Sequence, residues 1–203
     1  MSDTRPRLVD AAARVVRERG LAAASARAIA TDAGVNQALI FYHFHTVNEL
    51  IESASDHAVE LSIAQYADQL AEVTTLTELL TLGQSLHERE RSLGNVALMA
   101  QLLAGAQNNE VLARTARHAL DAWAAQIDGA LRRILRGSPI IDVADVAGLA
   151  RAVSAAFLGL ELYEGADADG AAQAFGALRS LGALVDLLDA LGPVLRRALR
   201  RHH

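Results

Sequence analysis

The sequence predicts an all-α protein: a small N-terminal three-helix domain of the helix-turn-helix kind, followed by a larger helical domain. Three observations carry this. Alanine and leucine supply most of an apolar content of 52%, while aromatic residues make up only 4%. Only three prolines interrupt the 203 residues. Alternating runs of Val, Ile and Thr, the mark of strands, are absent, and good helix formers fill the space between glycine, asparagine and serine punctuation.

Taken in order, Pro6 suits the first turn of a helix that runs to about Arg19 and is ended by Gly20. Leu8, Ala12, Val15 and Val16 recur on one side of it. Ser25 then caps a short helix with Ile29 and Ala30 on its apolar side, Ala33 at a close contact and Gly34 at the positive φ that ends it. Asn36 caps a second short helix. On a 100° wheel Ile40 and Phe44 share one side, flanked by Gln37 and Phe41, while Ala38, Leu39, Tyr42 and His43 face the other way. That second face carries no charge. It suits a DNA major groove, with Ala38 and Leu39 against thymine methyls, Gln37 on adenine, and Tyr42 or His43 on phosphates or base edges. It suits equally a helical hairpin whose Leu39 and Tyr42 are covered by a further helix.

Thr46 and Glu49 form a capping box that opens a helix through Leu50, Ile51, Ala54, Ala58, Leu61 and Ala64 toward Leu70. This helix is long enough to join two domains, so the boundary is expected near residue 50, giving domains 1–50 and 51–203. A second capping box, Thr75 with Glu78, starts a helix that ends before Gly94. Asn95 to Ala106 reads as an apolar helix buried on most sides, and Asn109 caps a longer one to about Leu135. Gly137, Ser138 and Pro139 make a break.

Beyond that break, a cap at Asp142 precedes Val143, Val146, Ala150, Val153, Phe157 and Leu160 in a 3-4 repeat, and after Asp169 the residues Phe175, Leu178, Leu181, Val185 and Leu188 repeat it. Leu149, Ala156, Leu184, Leu187 and Leu191 widen both helices beyond what one neighbour covers. A homodimer through a four-helix bundle is the expectation, with Val146, Val153, Phe157, Leu160, Leu178, Leu181, Val185 and Leu188 as its contact. Gly192 and Pro193 are expected to begin a short tail.

The formal charge of −5 divides unevenly. Residues 1–50 hold six arginines against five acids, the remainder thirteen against nineteen, and lysine is absent. The acidity therefore belongs to the second domain, while the first has a weak basic footprint that predicts a shallow salt dependence of any DNA binding. With no cysteine, disulfides and thiolate metal sites are excluded and a cytoplasmic setting is the default. The N-terminus has no signal-peptide core, and the longest apolar stretch, Val143 to Tyr163, is interrupted by Asp145, Arg151 and Glu161, so no membrane partner is expected. An enzyme is not expected: no Glu-x-x-His pair, Gly-rich phosphate loop or His-Glu-x-x-His pattern occurs, and His57, His87 and His118 are scattered. His43 and His45 lie at the end of the second short helix, a poor place for a metal site. No cofactor and no metal are expected.

The order of Ser25, Ile29-Ala30, Ala33-Gly34-Val35, Phe41, His43-Phe44 and Glu49-Leu50 resembles the DNA-binding domain of the tetracycline-repressor (TetR) family of transcriptional regulators. The resemblance covers about the first 50 residues. It implies DNA contact from Arg27 on the first short helix and from Gln37, Ala38, Leu39, Tyr42 and His43 on the recognition helix, with the caps Ser25, Asn36 and Thr46 completing the DNA-facing set. Three residues depart from the family pattern. Phe41 stands where a phosphate-binding tyrosine is usual, Val47 where a lysine is common, and Leu39 where a small polar residue is. The resemblance further implies a ligand-responsive repressor that binds a palindromic double-stranded operator as a dimer and is released by a small effector, and the wealth of leucine and alanine argues that this effector is mostly apolar. Tyr66, His87, Asn95, Met99, Gln101, Gln107, Trp123, Glu161 and Tyr163 are the expected lining of its pocket. The reading from another class is a helical scaffold module that kept the hairpin and lost its DNA role.

Overall fold

The structure, a computed structural model, describes residues 4–136, 138, 141 and 144–200, with side chains described as far as Leu187. Its described residues form helices and turns: α1 (Thr4–Arg19), α2 (Ala26–Ala33), α3 (Ala38–Phe44), α4 (Val47–Glu72), α5 (Leu76–Ser92), α6 (Asn95–Ala106), α7 (Glu110–Ile134), α8 (Val146–Glu164) and α9 (Ala168–Arg200), with a 3-10 turn at Leu21–Ala23. The all-α class and the N-terminal helix-turn-helix follow from this order.

The caps are where the sequence placed them in the first two thirds of the chain. Asn109 Oδ1 accepts from the Val111 and Leu112 N–H groups at 2.9 and 3.2 Å and so opens α7. Thr75 and Glu78 bond reciprocally at the head of α5, Glu78 N–H to Thr75 Oγ1 at 3.1 Å and Thr75 N–H to Glu78 Oε2 at 3.2 Å. Later boundaries differ from expectation. Asp145, accepting from Gly148 N–H at 3.0 Å, caps α8, whereas Asp142 and Val143 lie outside the described residues, as do Gly137 and Pro139. Asp167, accepting from Gly170 N–H at 2.9 Å, takes the role given to Asp169. Helix α9 continues through Gly192-Pro193 to Arg200 instead of ending there. A proline forfeits one helical bond, and the leucine, alanine and arginine on either side are strong enough helix formers to carry the helix past it.

The chain packs as two compact units. The first joins Met1–Gln65 to Arg89–Trp123, the second Tyr66–Glu88 to Ala124–His203. In the first, Leu8, Ala12, Val15 and Val16 of α1 close over Ile29 and Ala30 of α2 and Ile40 and Phe44 of α3, and the same cluster continues into Leu50 and Ile51 of α4, Leu98 and Leu102 of α6, and Leu112 and Ala116 of α7. No break in packing therefore falls at residue 50. Helix α6 buries only Leu98 and Leu102, less than its composition suggested, because Asn95 and Gln101 turn one side of it to polar work.

In the second unit α8 lies along α9, and the Phe157 and Phe175 rings meet with centroids 5.5 Å apart. Gly83 of α5 is held against Phe157 so closely that a Cβ would collide with the ring. Val146 is buried within the chain, while Val153, Phe157, Leu160, Leu178 and Val185 are half-buried. Part of the 3-4 repeat therefore packs within the chain, Phe157 against Phe175 of α9 and Gly83 of α5, while Leu181 of the same repeat is 59% exposed. The Leu188 side chain lies outside the described residues. Among the described residues one helix, α8, is long and apolar enough to cross a membrane by length and composition. Its Glu161 and Glu164 face His87 of α5.

Candidate nucleic-acid interface

The interface begins with how α2 and α3 are ended. Ser25 Oγ accepts from Ala28 N–H at 3.2 Å and fixes the start of α2. Gly34 ends it at φ 63°, and the Val35 N–H returns to the Ala30 carbonyl at 3.0 Å. Arg7 of α1 adds a charged donor to the same end, reaching the Ala33 carbonyl at 2.6 Å. Asn36 Oδ1 then accepts from Ala38 N–H at 2.8 Å, so the expected side-chain cap of α3 is in place. Arg14 of α1 bonds Asp32 of α2 at 2.8 Å. A reader of only seven residues is thereby clamped on a rigid base.

Ile40 and Phe44 point inward, and the Arg5 guanidinium sits 4.9 Å from the centre of the Phe44 ring. Outward, Gln37, Ala38 and Tyr42 are exposed, Tyr42 to 71%. His43 is half-buried and meets the Tyr42 ring edge to face at 4.9 Å. Leu39 is half-buried against the core. The hairpin reading with Tyr42 sealed beneath a helix is not what the chain adopts. Phe41, placed beside the packed side by the wheel, is 47% exposed. Arg27 is exposed on α2, and Thr46, also exposed, accepts from Glu49 N–H at 3.1 Å through Oγ1, which leaves its O–H proton free to donate outward. Of the expected DNA-facing residues, Ser25, Arg27, Asn36, Gln37, Ala38, Tyr42 and Thr46 are thus exposed, and Leu39 and His43 half-buried.

The residues expected to line a pocket fall in both units: Asn95, Met99, Gln101, Gln107 and Trp123 in the first, Tyr66, His87, Glu161 and Tyr163 in the second. Asn95 accepts from Arg17 at 3.4 Å and donates to Glu90 at 2.6 Å, and Gln101 accepts from the Leu21 N–H, so both are turned toward the α1 elbow. Gln107 is exposed and Tyr163 is 51% exposed, its hydroxyl donating to Asp167 at 3.3 Å. Met99 and Trp123 are half-buried. Within the second unit His87 and Glu161 meet. The buried His87 ring has Nε2 on Glu164 and Nδ1 within 3.2 Å of Glu161 Oε1, off the line of a good hydrogen bond, with the Phe175 ring 5.5 Å away. Tyr66, of the same unit, is buried.

Residues 8–54 match the family model of bacterial regulatory proteins, tetR family. That segment is a TetR-family DNA-binding domain. The domain is the DNA-binding helix-turn-helix of a bacterial regulatory protein, and α2, the Gly34 turn and α3 are that element. Uncharacterized HTH-type transcriptional regulators of Mycobacterium bovis and Mycobacterium tuberculosis are each 25% identical over 132 residues, 65% of this chain and 68% of theirs. Among solved structures, a TetR-family regulator of Cytophaga hutchinsonii superposes with a TM-score of 0.73 at 16% identity, over 89% of this chain and 93% of that one. FadR of Bacillus subtilis in complex with stearoyl-CoA gives 0.71 at 18% identity over 87% and 96%. A candidate transcriptional regulator of Saccharomonospora viridis in complex with choline gives 0.69 at 21% identity over 89% and 93%. At these identities the TetR-family fold is what the structures share.

Sequence reasoning missed His45. It follows α3 directly and has φ 58° and ψ −44°, an unusual conformation for a residue with a Cβ. Nothing in the residue order signals it, since a glycine would be the usual marker.

Proposed function

We propose that this chain is a ligand-controlled repressor of the TetR family: a homodimer that reads a palindromic operator in the cytoplasm and leaves it when a small, mostly apolar effector binds. The observation that carries the reading is Tyr42, 71% exposed on an uncharged face directly across α3 from the buried Ile40 and Phe44. A large aromatic left in water on a clamped seven-residue helix fits a surface that is covered only when it meets duplex DNA. The family supports the duplex partner.

A pair of such heads is needed because one short helix reads few base pairs. The apolar side chains left exposed on α8 and α9, among them Leu149, Leu162, Leu181, Leu184 and Leu187, support a second copy as their cover. For the effector, the second unit offers His87 and Glu161 beside the Phe157 and Phe175 rings, with Tyr66 as a further candidate. Two neighbours of the fold are in complex with choline and with stearoyl-CoA, which supports a ligand role for this chain and sets an amphipathic molecule as the first class to screen.

The test is selection of duplexes from a random-sequence pool by the full chain, followed by binding of Tyr42→Ala and Gln37→Ala to the enriched site. Enrichment of an inverted repeat, lost by about tenfold or more in each variant, is expected. A pool that yields no enriched duplex would sink the reading and leave a helical scaffold in its place.

A further inference from the structure

His45 is the only described residue other than glycine with a positive φ. It is the centre of a γ-turn of the strained hand: φ is 58°, ψ is −44°, and the Thr46 N–H bonds back to the Phe44 carbonyl at 2.5 Å. This turn swings the chain from the end of α3 into α4, while the His45 N–H closes α3 on the Phe41 carbonyl at 3.2 Å. Glycine would adopt the same backbone without the Cβ clash. The chain instead keeps an imidazole there, and the side chain is exposed.

A conformational cost retained for an exposed side chain calls for something outside the fold that the side chain meets. His45 sits one residue beyond the reader helix, whose outer face carries Tyr42 and His43. With α3 in the major groove, the chain leaving its end passes over the groove's edge, where the surface in reach is sugar and phosphate rather than bases. An imidazole ring N–H is a donor suited to a phosphodiester oxygen. Rigid placement by a γ-turn is also what a single short-range contact needs, because no flexible stem like that of lysine or arginine spans the gap.

We propose that His45 is a phosphate-contacting residue of the DNA reader, held in position by the strained turn it occupies. The proposal rests on α3 being the reading helix. His45→Gly removes both the imidazole and the strain, so its melting temperature is expected to rise by about 2–4 °C while affinity for the enriched duplex falls by about tenfold. His45→Arg, which keeps the strain and restores a donor, is expected to bind within about threefold of the wild type.

The proposal is overturned if His45→Gly binds as tightly as the wild type, if it melts lower, or if His45→Arg binds as weakly as His45→Gly, since a loosened turn would then account for the loss. Failure of the wild type itself to enrich a duplex removes the reading of α3, and His45's role with it. Failure of the His45 variants alone leaves the Tyr42 and Gln37 results standing.

Discussion

Arg17 of α1 donates to the side-chain carbonyl of Asn95, the first residue of α6, across 3.4 Å, and Asn95 passes its own amide to Glu90 at 2.6 Å. One and a half turns further along α6, Gln101 accepts from the Leu21 N–H just past the end of α1. The glycines at both contacts, Gly94 and Gly20, have positive φ, and Gly94 lies on the Arg17 stem. Helix α6 is therefore bonded to the elbow that carries the reader, and its first two polar residues are engaged there.

Gln101→Leu tests this bonding. The variant leaves the part-buried Leu21 N–H without its acceptor, and the expected loss is about 1–3 kcal/mol of unfolding free energy in urea. Asn95→Ala, which removes both the 3.4 Å bond from Arg17 and the 2.6 Å bond to the buried Glu90, is expected to cost about 1–3 kcal/mol. Equal stability of Gln101→Leu and wild type would show that the backbone donor finds water instead.

A second prediction concerns salt. Of the six arginines before residue 50, Arg7 holds the Ala33 carbonyl, Arg14 pairs with Asp32, Arg17 bonds Asn95 and Arg5 lies over Phe44. Arg19 and Arg27 are exposed and, among the described residues, engaged with no other side chain. Two free cations per head give a dimer a slope of log affinity against log salt of about −4, and Arg27→Ala is expected to reduce it by about 2. Arg14→Ala is expected to lower stability and leave the slope alone. A slope near −8 in the wild type would contradict this assignment.

The legibility of the chain follows the range of the forces involved. Caps such as Ser25, Asn36, Thr75 and Asn109, and the Gly34 turn, were readable because each is settled within four residues. The partners of polar side chains were not: Asn95 and Gln101 look like pocket residues on an apolar helix, and only tertiary packing turns them toward α1. The same holds for the 3-4 repeat of α8 and α9, which states that a seam exists without naming the helix across it. His45 was illegible for the opposite reason, because its conformation runs against its own residue type.

Asp186 gives a prediction about acid. This α9 carboxylate accepts from the Leu76 and Thr77 N–H groups at 3.0 Å each and from the Thr77 hydroxyl at 2.7 Å, serving the N-terminus of α5 from a distance in sequence. Burial alone would raise its pKa, but the hydrogen bonds from Thr77 and Leu76 outweigh that and hold it below the ordinary carboxylate value. A depressed folded-state pKa contributes stability that is complete above the unfolded value, about pH 4, and fades as the pH falls through the folded one. Glu78, lowered by the Thr74 N–H and hydroxyl, acts in the same direction. Asp186→Asn is expected to lose about 1–2 kcal/mol at pH 7 and to flatten the fall in melting temperature below pH 4. An unchanged acid profile would place the acid-sensitive step elsewhere.

The last prediction separates the inner and outer sides of α8 and α9. Leu181, Leu184 and Leu187 recur on α9 at three-residue spacing and are 59%, 51% and 56% exposed, and Leu149 and Leu162 on α8 are 40% and 47% exposed. Val146, by contrast, is 4% exposed and Phe157 lies against Phe175. If a second copy covers the outer face, Leu184→Glu buries a charge only in the dimer, so sedimentation should show monomers whose helical content is unchanged and whose affinity for a two-half-site duplex drops by about a hundredfold. Val146→Glu buries the charge in either state, and unfolding is its expected result. Were Leu184→Glu to remain dimeric, the two-fold contact would have to lie on another face, and the exposed leucines of α9 would belong to a different partner.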